Sequence, residues 1–275
     1  MTPHKLPLVI EASQLQSMLG APDLLPVAVC SEQVFNATHV TGSTLMTPAE
    51  LVSGEKPAVG KLPGVERLSA LFSRIGLTPA THVVAYDDEG GGWAGRLIWT
   101  LDVLGHHNYS YLDGGLVAWL AGNYPVQSGP ATVKSTNFTA VVDTSQLVNL
   151  PTMKQQIGNA NSIVWDARGS DEYVGTKVTA LRNGHIPGAV NLDWLDLMDR
   201  NNDLRLRPLP ELEKRLRSLG ITADKQVITH CHTHHRSGLT YLVGKALGMN
   251  IKAYDGSWSE WGNQSDTPIV TGNGA

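Results

Sequence analysis

The sequence contains little cysteine, no long apolar run and no excess of positive charge. Its two cysteines, Cys30 and Cys231, form no CxxC pair, which argues against a disulfide framework or a thiolate zinc site. No apolar run reaches the ~18 residues that a membrane span needs, and the N-terminus lacks the apolar core of a signal peptide. Lys and Arg number 21 against 25 Asp and Glu, which argues against a general binder of nucleic acid or anionic membrane. We therefore expect a soluble, cytoplasmic protein with no nucleic-acid or membrane partner.

What the chain does contain is enough apolar material for a packed core. Hydrophobic residues make up 41% and charged residues only 17%, a balance that excludes a disordered chain. The length of 275 residues is about twice a typical domain of ~100–150 residues. The composition therefore predicts either two domains or one large α/β domain.

Four short segments recur in the same order, between 142 and 146 positions apart. This period is too long for a solenoid unit, so it indicates two copies of one domain. We place one domain at residues 1–130 and the other at 138–275, with a linker rich in Ser, Thr and Gly at about 126–137. The matched pairs are Thr38–Ser43 with Gly184–Ala189, Ile75–Thr78 with Leu219–Thr222, His82–Tyr86 with Gln226–His230, and Asp113–Trp119 with Asp255–Trp261.

The second half alternates strand and helix patterns. Short apolar, β-rich runs at Ile163–Trp165, Val227–Thr229 and Ile251–Tyr254 predict buried strands. Glu211–Leu219 and Leu239–Leu247 carry apolar residues at helical spacing, and a glycine follows each. The order of strand, loop, helix and strand predicts a parallel-sheet α/β fold for each domain.

The segment Thr229–Ser237 is predicted to link the end of a strand to the start of a helix, where ligands bind in open α/β folds. Four of the ten histidines lie within residues 230–235, and Arg236 opens the helix. Backbone N–H donors, a helix N-terminus and nearby cations lower a thiol pKa from about 8.5 to roughly 3.5–7.5. Cys231 is therefore the candidate nucleophile, whereas Cys30 lies in an apolar stretch and is predicted to be structural.

The second half contains a set of short motifs in a fixed order: Asp166–Arg168 with Glu172-Tyr173, Gly184–Ala189, the Cys231–Arg236 loop and Tyr254–Trp261. This ordered set resembles the catalytic domain of the rhodanese family, and the first half carries altered copies of the same motifs. The resemblance implies α/β architecture with two tandem rhodanese-like domains, each a parallel sheet flanked by helices, as in bacterial-type thiosulfate sulfurtransferases.

The resemblance also implies a reaction and a set of site residues. Cys231 would take the sulfane sulfur of thiosulfate as a persulfide and release sulfite, and cyanide or a thiol such as glutathione or a thioredoxin-like protein would accept the sulfur. Backbone N–H groups of residues 232–236 would hold the persulfide's charge, and no metal or organic cofactor is required. The implied substrate-binding residues are His232, Thr233, His234, His235 and Arg236.

Departures from the family pattern concern the donor. Many animal thiosulfate enzymes have Arg where Glu172 stands and Lys where Thr233 stands, and both help to hold the donor. Bulky histidines after Cys231 favour thiosulfate over 3-mercaptopyruvate, whose transferases prefer a small, glycine-containing loop; 3-mercaptopyruvate sulfurtransferase stays the alternative. Arg182 is interpreted as an exposed loop arginine, with anion binding as the alternative.

Two other chemistries fit the cysteine loop less well. A cysteine phosphatase needs a longer loop between Cys and Arg than the four residues, His232 to His235, present here. A metal site built from Cys231 and the loop histidines would require adjacent residues of a tight loop to point at one centre, and the usual Cys/His spacings are missing. We therefore predict neither phosphatase activity nor a dedicated metal site.

The first copy lacks the nucleophile. Asp87 stands 144 positions before Cys231, and Ala28 and Cys30 stand where the second copy has Asp166 and Arg168. No Lys-Ser/Thr follows the glycines after Asp87, so a phosphate-binding loop is not predicted. We expect the first domain to be catalytically inactive. A non-catalytic sulfur carrier or regulatory module is the alternative for the whole chain.

Overall fold

The computed structural model describes residues 6–274 and divides into two compact units. Within the described residues, the first unit comprises 6–51, 63–143 and 199–206, and the second comprises 52–62, 144–198 and 207–274. Each unit therefore takes most of its residues from one half of the chain and one short segment, 199–206 or 52–62, from the other. The repeat in the sequence does not predict these two short segments.

The first unit is built on a five-stranded sheet with the strand order β1-β6-β5-β2-β4. Every neighbouring pair in this sheet is parallel. Two further strands, β3 and β7, pair antiparallel. The strands are β1 Val9–Ile10, β2 Leu24–Val29, β3 His39–Val40, β4 Thr44–Met46, β5 His82–Tyr86, β6 Tyr109–Leu112 and β7 Val126–Gln127. The helices are α1 Ala12–Met18, α2 Glu32–Ala37, α3 Val65–Arg74, α4 Gly92–Val103 and α5 Gly115–Ala121.

The second unit repeats the architecture with a parallel sheet of strand order β10-β9-β13-β14-β8. Its strands are β8 Leu147–Val148, β9 Ser162–Asp166, β10 Ala189–Asn191, β13 Gln226–His230 and β14 Asn250–Tyr254. The 199–206 segment of the first unit contains the end of β11 Met198–Asp199 and all of β12 Arg205–Leu206, which form a small separate sheet. Its helices are α6 Leu150–Gln156, α7 Ser170–Val174, α8 Leu209–Ser218, α9 Arg236–Ala246 and α10 Ser257–Trp261. Short 3₁₀ turns occupy Pro48–Leu51, Thr144–Gln146 and Trp194–Leu197.

The predicted fold class is confirmed, and the apolar runs explain it. In β13, every residue after Gln226 is buried, because helices cover both faces of a parallel sheet. The register places Thr229 of β13 beside Trp165 of β9 and Ala253 of β14. The ends of these strands therefore meet at one edge of the sheet. Cys231 follows the central strand β13 at that edge.

The predicted linker contains a strand. Val126 and Gln127 form β7, which pairs with His39 and Val40. Residues 128–143 form neither helix nor strand. Among the described residues, every helix is too short or too polar to cross a bilayer.

Candidate active site

Cys231 lies in a five-residue loop, 231–235, between β13 and α9, and it is 1% exposed. The first turn of α10 holds this loop from one side. Trp258 N donates to the Cys231 carbonyl at 3.0 Å, and Ser259 N donates to the His232 carbonyl at 2.9 Å. In the other direction, Cys231 N donates to Ser257 Oγ at 3.3 Å. The backbone on both sides of the thiol is therefore fixed by hydrogen bonds.

The surroundings of the Cys231 thiol favour its ionised form. Burial by itself raises the pKa of a thiol, because a charge is poorly solvated away from water. Here the Arg236 charge, the Ser237 hydroxyl and backbone N–H, and the His235 charge outweigh burial and hold the pKa of Cys231 below its ordinary value. Cys30 is the opposite case, since burial and the charges of Asp88 and Asp87 raise its pKa to about 12. The pKa values of the two cysteines are therefore shifted in opposite directions.

Arg236 is held by a buried carboxylate. Its two terminal nitrogens donate to the two oxygens of Glu172, at 2.5 Å and 3.0 Å, in a bidentate pair. Glu172 is 4% exposed, and although burial raises its pKa, the Arg236 hydrogen bonds and charge lower it below its usual range. The pair orients the guanidinium.

The loop histidines do not act alike. Burial lowers the pKa of His230 and of His232, so both imidazoles are neutral at pH 7. His234 is fully buried with a positive φ of 54°, and its Nδ1 lies 2.7 Å from Ser237 Oγ. His235 packs edge-on against Trp194, with ring centroids 5.4 Å apart. Thr233 is half-buried at the middle of the loop.

A buried ionic cluster lies next to the loop. Arg168 Nε donates to Asp166 Oδ1 at 2.9 Å, and its Nη2 donates to the Gly184 carbonyl at 2.8 Å. The guanidinium carbon lies 4.3 Å from the centroid of the Trp258 ring. His230 Nε2 is 3.6 Å from Asp166 Oδ2. These contacts join the ends of β9 and β13 to α10. Asp166 and Arg168, which belong to the motifs that resemble the rhodanese family, therefore have a structural role.

The position of Arg182 differs from the one predicted from the sequence. It is half-buried rather than an exposed loop arginine, and its Nη1 donates to the Thr267 carbonyl at 2.8 Å. Its Nη2 contacts the Gln264 carbonyl and Thr267 Oγ1. The guanidinium therefore holds the segment after α10, a role that depends on contacts some 80 residues away.

A cavity of about 500 Å³ opens beside His232. Val59, Ser259 and Lys56 contribute to its lining. Within the described residues, no three His, Cys, Asp or Glu side chains are arranged to hold a metal ion.

The corresponding loop of the first unit shows what this backbone can bind. Asp87 follows β5, and its Oδ1 accepts hydrogen bonds from Glu89 N, Gly90 N and Gly91 N at 3.2, 3.1 and 2.8 Å. Its Oδ2 accepts from Ala94 N at 3.0 Å. Burial and the Glu89 charge raise the pKa of Asp87, whereas the N–H donors oppose that shift. The loop thus directs several backbone donors at the first residue after the strand.

Sequence reasoning missed three contributors to the cysteine site. Ser237 donates to the thiolate, Ser257 fixes the Cys231 backbone and Glu172 orients Arg236. The role of Ser237 could have been predicted from the sequence, because a hydroxyl in the first turn of the helix that follows a nucleophile lies near that nucleophile. The partnership of Glu172 with Arg236 joins residues 64 positions apart and had no local signal.

A model of the rhodanese-like domain matches residues 11–122 and 150–264, which together exceed half of the chain. The chain belongs to the rhodanese family. Both rhodanese domains recur in relatives of similar length. The thiosulfate sulfurtransferase of Pseudomonas aeruginosa is 48% identical over 266 residues, covering 96% of this chain and 97% of that protein. The thiosulfate sulfurtransferase of Azotobacter vinelandii is 45% identical over 265 residues, covering 96% and 97%.

A solved structure supports the tandem rhodanese fold. The crystal structure of YnjE superposes with a TM-score of 0.85 at 20% identity, covering 97% of this chain and 68% of that one. At this identity, the likeness concerns the fold alone.

Proposed function

We propose that this protein is a thiosulfate sulfurtransferase that works through a persulfide on Cys231. The observation that carries the proposal is a buried thiol whose pKa is lowered, at a loop whose counterpart holds the Asp87 carboxyl group on backbone N–H groups. The close relatives named thiosulfate sulfurtransferase support the same activity.

The reaction has two steps that share one nucleophile. The Cys231 thiolate attacks the sulfane sulfur of thiosulfate, the S–S bond of the donor breaks, and sulfite leaves with the electron pair. A thiophile, cyanide or a thiol such as glutathione or a thioredoxin-like protein, then attacks the outer sulfur and restores the thiolate. Atoms and charge balance without any external oxidant or reductant.

Each neighbour of Cys231 has a part in this scheme. Ser237 donates to the sulfur anion, and the loop N–H groups of residues 232–236 hold the outer sulfur as their counterparts hold the Asp87 carboxylate. Arg236, oriented by Glu172, stabilises the thiolate and the departing sulfite. Since burial keeps His232 neutral, we assign it hydrogen bonding at the cavity rather than charge attraction.

The bulk of the loop favours thiosulfate as donor. From the size of the His232, His234 and His235 side chains we infer a narrow approach to the thiol. The alternative activity, transfer from 3-mercaptopyruvate, needs room for an organic acid. We also propose that the first unit transfers no sulfur, because the Asp87 carboxylate occupies its loop. The reaction fits the cytoplasm, where a reducing environment keeps Cys231 as a free thiol.

Mass spectrometry after thiosulfate treatment tests this proposal. We expect a gain of about 32 Da, one sulfur atom, on the Cys231 peptide, and its removal by cyanide with release of thiocyanate. Cys231→Ser should fold normally, gain no mass and lose at least about 1,000-fold in turnover, because a hydroxyl is a far weaker nucleophile here. Cys30→Ala is the matched control and should keep both the adduct and the activity.

The outcomes separate the alternatives. Faster turnover with 3-mercaptopyruvate than with thiosulfate would reassign the donor. An adduct with no turnover to any acceptor would indicate a carrier module. No adduct on Cys231 would overturn the proposal.

A further inference from the structure

The second unit contains a short segment, residues 52–62, that precedes the linker by more than sixty positions in the sequence. This 52–62 segment is fastened to the end of β14 and to α10. Leu62 N donates to Asp255 Oδ2 at 2.9 Å, and Lys61 forms an ion pair with Glu260. Glu260 is 6% exposed and also accepts from Tyr254 OH at 2.8 Å. The segment is therefore tied to buried acceptors, not merely laid on the surface.

Gly60 brings the 52–62 segment against the Cys231 loop. A Cβ added at Gly60 would lie 2.7 Å from Thr233 Cα and would overlap the Thr233 carbonyl. Real Cβ atoms do not come that close to backbone, and a backbone carbonyl has no flexible end that can move aside. The φ angle of Gly60 is not positive. The glycine is thus required for space, not for an unusual backbone conformation.

The same short helix is attached both to this segment and to the loop. The first turn of α10 donates to the carbonyls of Cys231 and His232. Lys61 holds Glu260 within α10, and Leu62 holds Asp255, which lies two residues before the helix. Gly60 then contacts Thr233 directly. The loop is consequently held between α10 and the 52–62 segment, with no room for it to move toward Gly60.

We propose that Gly60 is a positioning residue for sulfur transfer, through which the 52–62 segment keeps the Cys231 loop closed around the reacting sulfur. This inference rests on the proposed function for its catalytic consequence. Displacing Thr233 moves the middle of the loop, and with it the backbone N–H groups to which the proposed function assigns the outer sulfur. A loop shifted by a few tenths of an ångström or more loses hydrogen bonds that stabilise the thiolate and the persulfide.

Gly60→Ala tests the proposal by adding one methyl group at the contact. In a Cys30→Ala background, the pH dependence of alkylation by iodoacetamide reports the acidity of the single remaining thiol, Cys231. We expect a rise of about one pKa unit and a loss of about tenfold or more in kcat with thiosulfate. Circular dichroism should show a folded chain, and the midpoint of the urea unfolding curve should fall, because the added methyl group overpacks the contact with Thr233.

Gly64→Ala is the matched control. It makes the same change four residues later, where φ is −61° and the added Cβ meets Glu66 Oε2 at an ordinary 3.6 Å. We expect thiol acidity and kcat within about twofold of the parent, since an ordinary van der Waals contact needs no displacement.

Lys61→Gln gives a second, independent test that adds no atoms at the crowded contact. Loss of the ion pair with Glu260 should shift thiol acidity and kcat in the same direction by about two- to fivefold, because one attachment of the segment is removed. If Gly60→Ala does not fold, Lys61→Gln decides the matter. Wild-type thiol acidity and kcat in the variant that folds would overturn the proposal.

Failure of the proposed function would look different. Alkylation needs no thiosulfate, so the effect of Gly60→Ala on thiol acidity can be seen even if Cys231 forms no persulfide. In that case the positioning of the loop would stand and the sulfurtransferase assignment would fall.

Discussion

In each unit a loop connects the central strand to the next helix, and the two loops differ in their first residue. In the first, Asp87 follows the central strand and its own carboxylate accepts the loop N–H groups. In the second, Cys231 occupies that position and its sulfur receives donors from Ser237. Both loops concentrate backbone donors at the end of a parallel strand and the start of a buried helix. In the proposed function, the residue at the first position decides whether the loop holds a carboxyl group of its own chain or a sulfur atom taken from a donor.

Charge separates the two loops as clearly as the first residue does. The second has Arg236 at the helix start, where the first has Gly92, 144 positions earlier. The first has Asp88 and Glu89 directly after Asp87. Those carboxylates raise the pKa of a neighbouring acid, as the effects of Asp88 on Cys30 and of Glu89 on Asp87 show. A negative loop of this kind would repel thiosulfate.

Arg236→Gln makes the second loop more like the first and carries the largest expected effect among these comparisons. Loss of the cation raises the pKa of Cys231, and the reactive thiolate exists above that pKa. The acid limb of the kcat/KM profile should move to higher pH, with a loss of about 100-fold near pH 6 that shrinks as the pH rises.

Arg215→Gln is the control for that experiment. Arg215 pairs with Asp196 at 2.6 Å and is partly exposed, so its loss should leave the profile in place. A pH profile for Arg236→Gln that superposes on the parent would show that the backbone donors and Ser237 suffice to ionise Cys231.

Asp87→Cys transfers the thiol to the first loop and sharpens the comparison. In a Cys30→Ala, Cys231→Ala background, the new thiol has loop donors but lacks the arginine and adjoins two carboxylates. We expect it to react with iodoacetamide at pH 7 about tenfold more slowly than Cys231 does in a Cys30→Ala chain. Equal rates would mean that the backbone loop alone sets thiol acidity.

Asp87→Asn has the smallest expected effect on chemistry and a measurable one on stability. The amide keeps the size of the carboxylate but turns an NH₂ donor toward loop N–H donors, which loses hydrogen bonds in a buried site. We expect the free energy of unfolding in urea to fall by about 2 kcal/mol. Asp88→Asn makes the same change at the adjacent residue and should lower the free energy of unfolding by less, since Asp88 is only half-buried. An unchanged unfolding curve for Asp87→Asn would mean that the carboxylate does not hold this loop.

Much of the fold was readable from the sequence, for local reasons. The strands at Ile163–Trp165 and Val227–Thr229 were predicted within one residue at each end, because buried parallel strands are short, continuous apolar runs. The helix after Cys231 was recognised from its apolar spacing, and the structure starts it at Arg236, as predicted, and buries most of its residues. The end of the helix predicted at Glu211–Leu219 was one residue too late, and its start two residues too late.

The candidate site was only partly readable. Cys231 and Arg236 stood out because their neighbours in the sequence are also their neighbours in space. The lowered pKa of His232 could not be predicted from the sequence, since burial causes it and burial depends on the whole unit. The half-buried position of Arg182 escaped detection for the same reason.

The sequence by itself determined two α/β domains and a cysteine loop between a strand and a helix, because periodicity and short motifs act over a few residues. Only the tertiary structure decided that Glu172 holds Arg236, that Ser237 meets the sulfur and that Gly60 lies against Thr233. Those contacts depend on packing, which brings together residues far apart in the chain and sets how each charge is solvated.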